Sequence, residues 1–203
     1  MLFSILICSI TSRKLLFERL YQFLTAQITE EDVSDKIEIL VFEDDCVYPV
    51  GVKRNKLIES ASGDFVAFID DDDWVSDTYI SNIYTVLKSN PKIDCVGFKG
   101  KIINESFGYK PFIHSINNKN YTEDNSCYYR PPNHLNPIRR ELIKNVKFPH
   151  KNFGEDFDWS MEVANGGILK NEVFIDKYLY YYYYNFRLSA TQNIYGRKYE
   201  MPY

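Results

Sequence analysis

Short apolar runs alternate with stretches of helical periodicity through the first half of the chain. Leu2 to Ile10 is almost continuously apolar, as strands buried on both faces of a parallel sheet are. Thr11 or Ser12 is placed to cap a helix over about 13–27, where Leu15, Leu16, Leu20 and Phe23 recur at helical spacing. Glu38–Phe42 is a second strand and ends in Glu43-Asp44-Asp45. Gly51 opens a helix through Ser60, with Leu57 and Ile58 facing inward, and Ala61-Ser62-Gly63-Asp64 turns the chain into a strand over Phe65–Ile69. A helix over about 75–89 puts Ile80, Ile83 and Leu87 on one side and stops at Asn90-Pro91, because the residue before a proline avoids helical geometry. Ile93–Phe98 is the fourth strand. This β-α-β-α-β-α-β alternation predicts an α/β fold, a Rossmann-like, mainly parallel sheet flanked by helices.

The second half is less regular. Residues 108–133 are rich in Asn, Tyr, Pro and Lys and read as a long loop or hairpin, an insertion of the kind that carries function. Arg139–Asn145 and Glu155–Ala164 are helix candidates, and Ile168–Ile175 and Tyr178–Tyr184 are strands closing a single domain spanning 1–203. The Tyr180–Tyr184 tract suits either an aromatic platform or core filling, and β-propensity favours the core.

Bulk properties narrow the function classes. A formal net charge of -4 argues against a general nucleic-acid binder. Cys8, Cys46, Cys95 and Cys127 form no C-x-x-C pair, and Cys8 and Cys95 lie in apolar runs, so a reduced, intracellular setting is expected. The apolar N-terminus lacks a basic leader and a small-residue cleavage site, and no stretch approaches the roughly 20 apolar residues of a membrane span. The expected localisation is cytoplasmic.

The strongest chemical signal is Asp70-Asp71-Asp72-Asp73, directly after the Phe65–Ile69 strand and directly before Trp74. An acidic run is most often a solvated loop. Here it sits between apolar anchors at a strand end, where like charges repel and are costly to desolvate. A divalent cation relieves that cost by drawing carboxylate oxygens together. The C-terminal ends of strands in open α/β sheets are also where ligands bind, so the run suggests a metal site that could hold a phosphorylated substrate.

Four segments, in order, resemble the family 2 glycosyltransferases, inverting enzymes with the GT-A fold. They are Ser4–Thr11; Ile39–Asp45; Gly51-Val52-Lys53-Arg54-Asn55 followed by Ala61–Asp73; and Gly154-Glu155-Asp156-Phe157-Asp158-Trp159. The first is similar to the family's nucleotide-binding turn, with Cys8 in place of its usual Pro and Thr11 where Asn is common. The third resembles its basic helix start, A-x-G turn and D-x-D motif in unbroken order, and the fourth its E-D motif beside the acceptor. The resemblance implies a nucleotide-sugar-binding half over 1–100 and an acceptor-binding half with a C-terminal segment over 101–203. It implies a nucleotide-sugar donor, UDP-sugar being favoured, with Thr11, Asp44 or Asp45, Lys53, Arg54, Asp70 and Asp71 on the donor side. Asp72, supported by Asp70, would ligate Mn²⁺ or Mg²⁺ bridging the diphosphate.

An inverting displacement also needs a base opposite the leaving group. Asp156 is the first candidate and Glu155 the second. His134, in His134-Leu135-Asn136-Pro137, and Trp159 are acceptor-side candidates, Trp159 either stacking on the acceptor or simply packing. Arg187 stands where the family often has a His and is expected to pair with the diphosphate. The acceptor is a glycan, a lipid-linked sugar, a protein or a modified nucleobase. Two rival readings are a Mg²⁺-dependent phosphatase of the haloacid dehalogenase type and an inactive sugar-nucleotide-binding module. The first fits poorly, because two β-α units precede the acidic run.

Overall fold

The structure is a computed structural model describing residues 1–104 and 108–184; Arg187 lies outside the described residues. Strand β1 (Phe3–Ile10) leads through a 3-10 turn at Thr11–Arg13 into helix α1 (Lys14–Glu30). Then follow β2 (Ile37–Asp44), α2 (Val50–Ser60), β3 (Phe65–Phe68), the short β4 (Trp74–Val75) and α3 (Tyr79–Ser89). Strand β1 pairs in parallel with β2 on one side and β3 on the other, so the chain ends of all three strands lie along one edge of the sheet. The expected capping by Thr11 or Ser12 is not made, and the helix expected from 75 begins at Tyr79 because Trp74 and Val75 pair with a later strand.

The long β5 (Cys95–Asn104) crosses the boundary between the two expected halves, which therefore share one sheet. Along one edge it pairs antiparallel with β6 (Gly108–His114); β7 (Thr122–Glu123) and β8 (Tyr128–Arg130) extend the sheet from there. The insertion at 108–133 thus contributes three strands joined by loops, with β7 and β8 paired antiparallel. The two-residue β9 (Ile138–Arg139) runs antiparallel between β3 and β5 and leads into α4 (Arg140–Ile143), shorter than the helix expected there. Helix α5 (Glu155–Asn165) precedes β10 (Glu172–Tyr184), a single strand parallel to β5. Its register shifts between Ile175 and Tyr180, which is why the sequence reads as two strands.

Period-two alternation divides the core. Phe3, Ile5 and Ile7 of β1 with Phe65, Ala67 and Ile69 face Leu20, Leu24, Ile80, Ile83 and Leu87 of α1 and α3. Leu6 and Cys8 with Val66 and Phe68 face Leu57, Ile58, Trp159 and Val163 of α2 and α5. Each face of the sheet carries helices, which is why β1 and β3 are apolar at nearly every position. Among the described residues no helix is long and apolar enough to cross a membrane.

Two local devices bring the second half to the strand ends. A Cβ on Gly51 would lie 2.0 Å from the Pro149 carbonyl oxygen, so only glycine lets the start of α2 meet the segment before α5. Asn55 then pairs with both backbone groups of Phe148, each at 2.9 Å. On the other side, β10 reaches back to the acidic turn. The Tyr180 hydroxyl donates to Asp73 at 2.7 Å and accepts from the Asp70 N–H at 3.1 Å, and the Tyr183 N–H donates to the same Asp73 at 3.0 Å. Tyr180 is fully buried, so core filling describes this tyrosine.

Replacing Tyr180 by Phe strands a buried Asp73 oxygen and the Asp70 N–H, and about 1–3 kcal/mol of folding stability is expected to be lost for each. Urea denaturation measures it, and a change below about 0.5 kcal/mol would show that these bonds do not anchor the turn.

Candidate active site

The acidic run is not one feature but four carboxylates with four environments. Asp73 points inward to β10, and burial, then the charges of Asp70 and Asp72, raise its pKa well above the usual range. Asp71 is 1% exposed and accepts from the Ser9 hydroxyl at 2.8 Å; burial pushes its pKa up to about 6 against the pull of Arg13. Asp72 is partly exposed and paired with Arg13 Nη1, while Nη2 of the same guanidinium reaches Asp71 at 3.0 Å. Burial raises Asp72 as well, with Arg13 opposing it.

Asp70 is the hub. Burial alone would raise its pKa, but the Arg54 guanidinium and the His134 ring hold it well below the usual carboxylate range. Arg54 Nη2 lies 3.0 Å from Asp70 Oδ1, and its Nε lies 3.3 Å from Glu155 Oε1. The guanidinium rests over the rings of Phe68 and Phe148, at 4.9 and 5.7 Å. His134 forms a second link, with Nε2 3.5 Å from Asp70 and Nδ1 3.9 Å from Asp156 Oδ2. Its carbonyl accepts from the Phe68 N–H at 2.7 Å, which fixes the loop before β9 against the end of β3. Asp70, Arg54, Glu155, Asp156 and His134 therefore close a ring joining the end of β3 to the first turn of α5.

That turn starts at Gly154, whose φ of 69° suits glycine, and its acids favour the helix macrodipole. Glu155 is 4% exposed and committed to Arg54, with burial raising its pKa. Asp156 is the open carboxylate, its side chain 38% exposed. Beside it Phe157 packs on Tyr121 with ring centroids 4.9 Å apart, an aromatic flank that the helical pattern of α5 did not single out.

Several sequence expectations land elsewhere. Trp159 does not line the cleft; it is 1% exposed, stacks on Phe148 at 4.7 Å and donates its indole N–H to the Val146 carbonyl, because it falls on the core stripe of α5. Lys53 is also turned inward, donating to Asp44 at 2.8 Å and to the Ser9 carbonyl at 3.0 Å. Arg54 is likewise occupied below the cleft. Asp44 further accepts from the Tyr48 N–H, while Asp45 and Thr11 stand exposed at the ends of β2 and β1. Arg13 was not singled out from the sequence. The available signal was a cation seven residues before buried Leu20, in line with the inward stripe of α1 but one residue before its start.

The site is polar beyond what its own groups satisfy. Of the buried polar atoms here without a hydrogen bond among the described residues, Arg54 Nε and Asp71 Oδ1 are still ion-paired, which leaves Arg13 Nε, Arg54 Nη1 and His134 Nδ1. Such atoms mark a place where a ligand or water completes the network. No three acidic, His or Cys side chains among the described residues converge as a ready-made metal cage. Asp70 and Asp72 instead offer hard oxygens at the cleft, a donor set that fits a cation held by one or two carboxylates plus substrate phosphates.

Comparison with known proteins accords with this arrangement. A profile of Glycosyl transferase family 2 matches residues 24–157, more than half of the chain. A search of curated protein sequences finds no match. Staphylococcus aureus TarS 1-349 in complex with UDP superposes with a TM-score of 0.63 at 19% identity, over 92% of this chain and 62% of that one. The same TarS segment in complex with UDP-GlcNAc gives 0.61 at 17% identity, over 91% and 59%. The chain thus spans about three fifths of the TarS segments it matches. A197 from STIV gives 0.51 at 17% identity, over 95% of this chain and 91% of that chain. The chain belongs to glycosyl transferase family 2, and its mainly parallel sheet flanked by helices is a GT-A fold.

Proposed function

We propose that this glycosyltransferase moves a sugar from a UDP-sugar to an acceptor hydroxyl with inversion, aided by Mn²⁺ or Mg²⁺. The observation that carries the reading is the pairing of two unlike carboxylate sets across one cleft. Asp70 and Asp72 stand at the end of β3 and Asp156 at the start of α5, joined through His134.

On the donor side, Asp72 with support from Asp70 would hold the cation. When bound, the cation supplies Lewis-acid stabilisation of the negative charge that grows on the leaving diphosphate. Lys53 contributes indirectly by orienting Asp44, whose carboxylate stands at the end of β2 where the base of the nucleotide would lie. Arg54 contributes by holding Asp70 ionised.

On the acceptor side, Asp156 is the general base and takes the proton of the attacking hydroxyl. Its exposure leaves it free to meet an acceptor, whereas Glu155 is committed to Arg54. His134 is a positioning residue that fixes the distance between Asp156 and the donor-side Asp70. The Tyr121–Phe157 pair offers an apolar face to the acceptor.

Release of UDP and transfer from a panel of UDP-sugars test the reading, with anomeric configuration read by NMR. Asp156→Asn is expected to lower turnover by about 10²–10⁴-fold while UDP binding persists. Loss of UDP binding together with turnover would remove the base assignment. Asp72→Asn is expected to lose the stimulation by Mn²⁺, and chelation of the wild-type protein to reduce transfer until Mn²⁺ is restored; transfer insensitive to both would sink the metal role.

A further inference from the structure

Arg13 is the only cation paired with Asp71 or Asp72 among the described residues, and it holds both. Its planar fork spreads Nη2 onto Asp71 and Nη1 onto Asp72, geometry that a lysine ammonium cannot reproduce. The guanidinium therefore stands on the carboxylate that the proposed function gives to the divalent cation. Two positive centres on one carboxylate repel each other, so a cation binds Asp72 less tightly while Arg13 holds its Oδ2.

The two halves of this fork differ. Asp71 is buried, braced by Ser9, and sits at the foot of the site; Asp72 is the more exposed partner. Arg13 can thus leave Asp72, to which it is hydrogen-bonded, while its ion pair with the fixed, buried Asp71 at 3.0 Å keeps it in the site. Its Nε is buried and has no hydrogen-bond partner among the described residues. A diphosphate supplies several anionic oxygens: one on the Nε edge of the guanidinium would satisfy that donor, and another would take the Nη1 freed from Asp72.

We propose that Arg13 is a resident counter-cation exchanged for the divalent cation when a nucleoside diphosphate enters, so that metal and nucleotide bind as a coupled pair. This inference rests on Asp72 being the metal ligand. In the free protein Arg13 neutralises the acidic turn and weakens binding of the metal alone. With the diphosphate present, Arg13 turns from Asp72 onto a phosphate oxygen while staying beside Asp71, and Asp72 is freed to hold the cation. Coupling of this kind is reciprocal: nucleotide raises metal affinity by the same factor by which metal raises nucleotide affinity.

The test is Mn²⁺ binding by electron paramagnetic resonance of free Mn²⁺, with and without UDP, on the full chain. Wild-type protein is expected to bind Mn²⁺ weakly alone and much more tightly with UDP. Arg13→Gln is expected to bind Mn²⁺ alone about tenfold more tightly, bind UDP more weakly, and lose at least about tenfold of the coupling. Arg13→Lys keeps the charge but not the fork, so it should bind Mn²⁺ alone as weakly as wild type does while showing reduced coupling. Equal Mn²⁺ affinity in wild type and Arg13→Gln without UDP overturns the exchange, provided Asp72→Asn abolishes Mn²⁺ binding in the presence of UDP. If Asp72→Asn binds Mn²⁺ with UDP as wild type does, the metal assignment itself fails. Should Arg13→Gln not fold, wild-type binding decides: Mn²⁺ held as tightly without UDP as with it refutes the proposal.

Discussion

The buried Arg54 guanidinium is the interaction on which the site depends. It is 4% exposed, lies over two phenylalanine rings, and touches one carboxylate from each side of the cleft, Asp70 at the end of β3 and Glu155 at the start of α5. Burying such an ion pair contributes little net stability, because desolvation offsets much of the attraction. Its effect is geometric: the end of β3 and the start of α5 are held where one guanidinium reaches both carboxylates. The packing around it follows the same need, with Gly51 admitting the Pro149 carbonyl and Asn55 clamping Phe148 so that α5 begins beside α2.

Electrostatics also explains how four adjacent aspartates coexist. Each has its own partner: Arg54 and His134 for Asp70, Ser9 and Arg13 for Asp71, Arg13 for Asp72, and Tyr180 with the Tyr183 N–H for Asp73. The partners come from α2, the loop before β9, the end of β1, the 3-10 turn and β10. The turn is therefore a junction at which distant segments meet, and its charge is what draws their polar groups together. Asp70 and Asp72 are the members with side chains open to the cleft, 27% and 21% exposed. The inward members hold the turn in shape.

Hydrophobic patterning made the first half of the fold legible. Continuous apolar runs marked β1 and β3, helical spacing marked α1 and α3, and their alternation implied the parallel sheet. The second half was harder to read because β7 and β9 are two residues each, too short to carry a period, and because a register shift divided β10. The insertion read as a loop or hairpin became the sheet extension β6–β8, in which β6 folds back on β5 and the β7–β8 pair joins β6 through a parallel contact that no local pattern marks.

By itself the sequence determined that the acids stand at a strand end, that an acidic pair opens a later helix, and that both belong to a glycosyl transferase family 2 chain. Those facts depend on local periodicity and on motif order, which one-dimensional information contains. Only the tertiary structure decided what each side chain touches. It turned Lys53 and Trp159 inward, gave Glu155 to Arg54, left Asp156 open, and brought Arg13 across 58 and 59 positions onto Asp71 and Asp72. Charge pairing falls off with distance through space and is blind to separation along the chain, so these assignments exist only once the chain is folded.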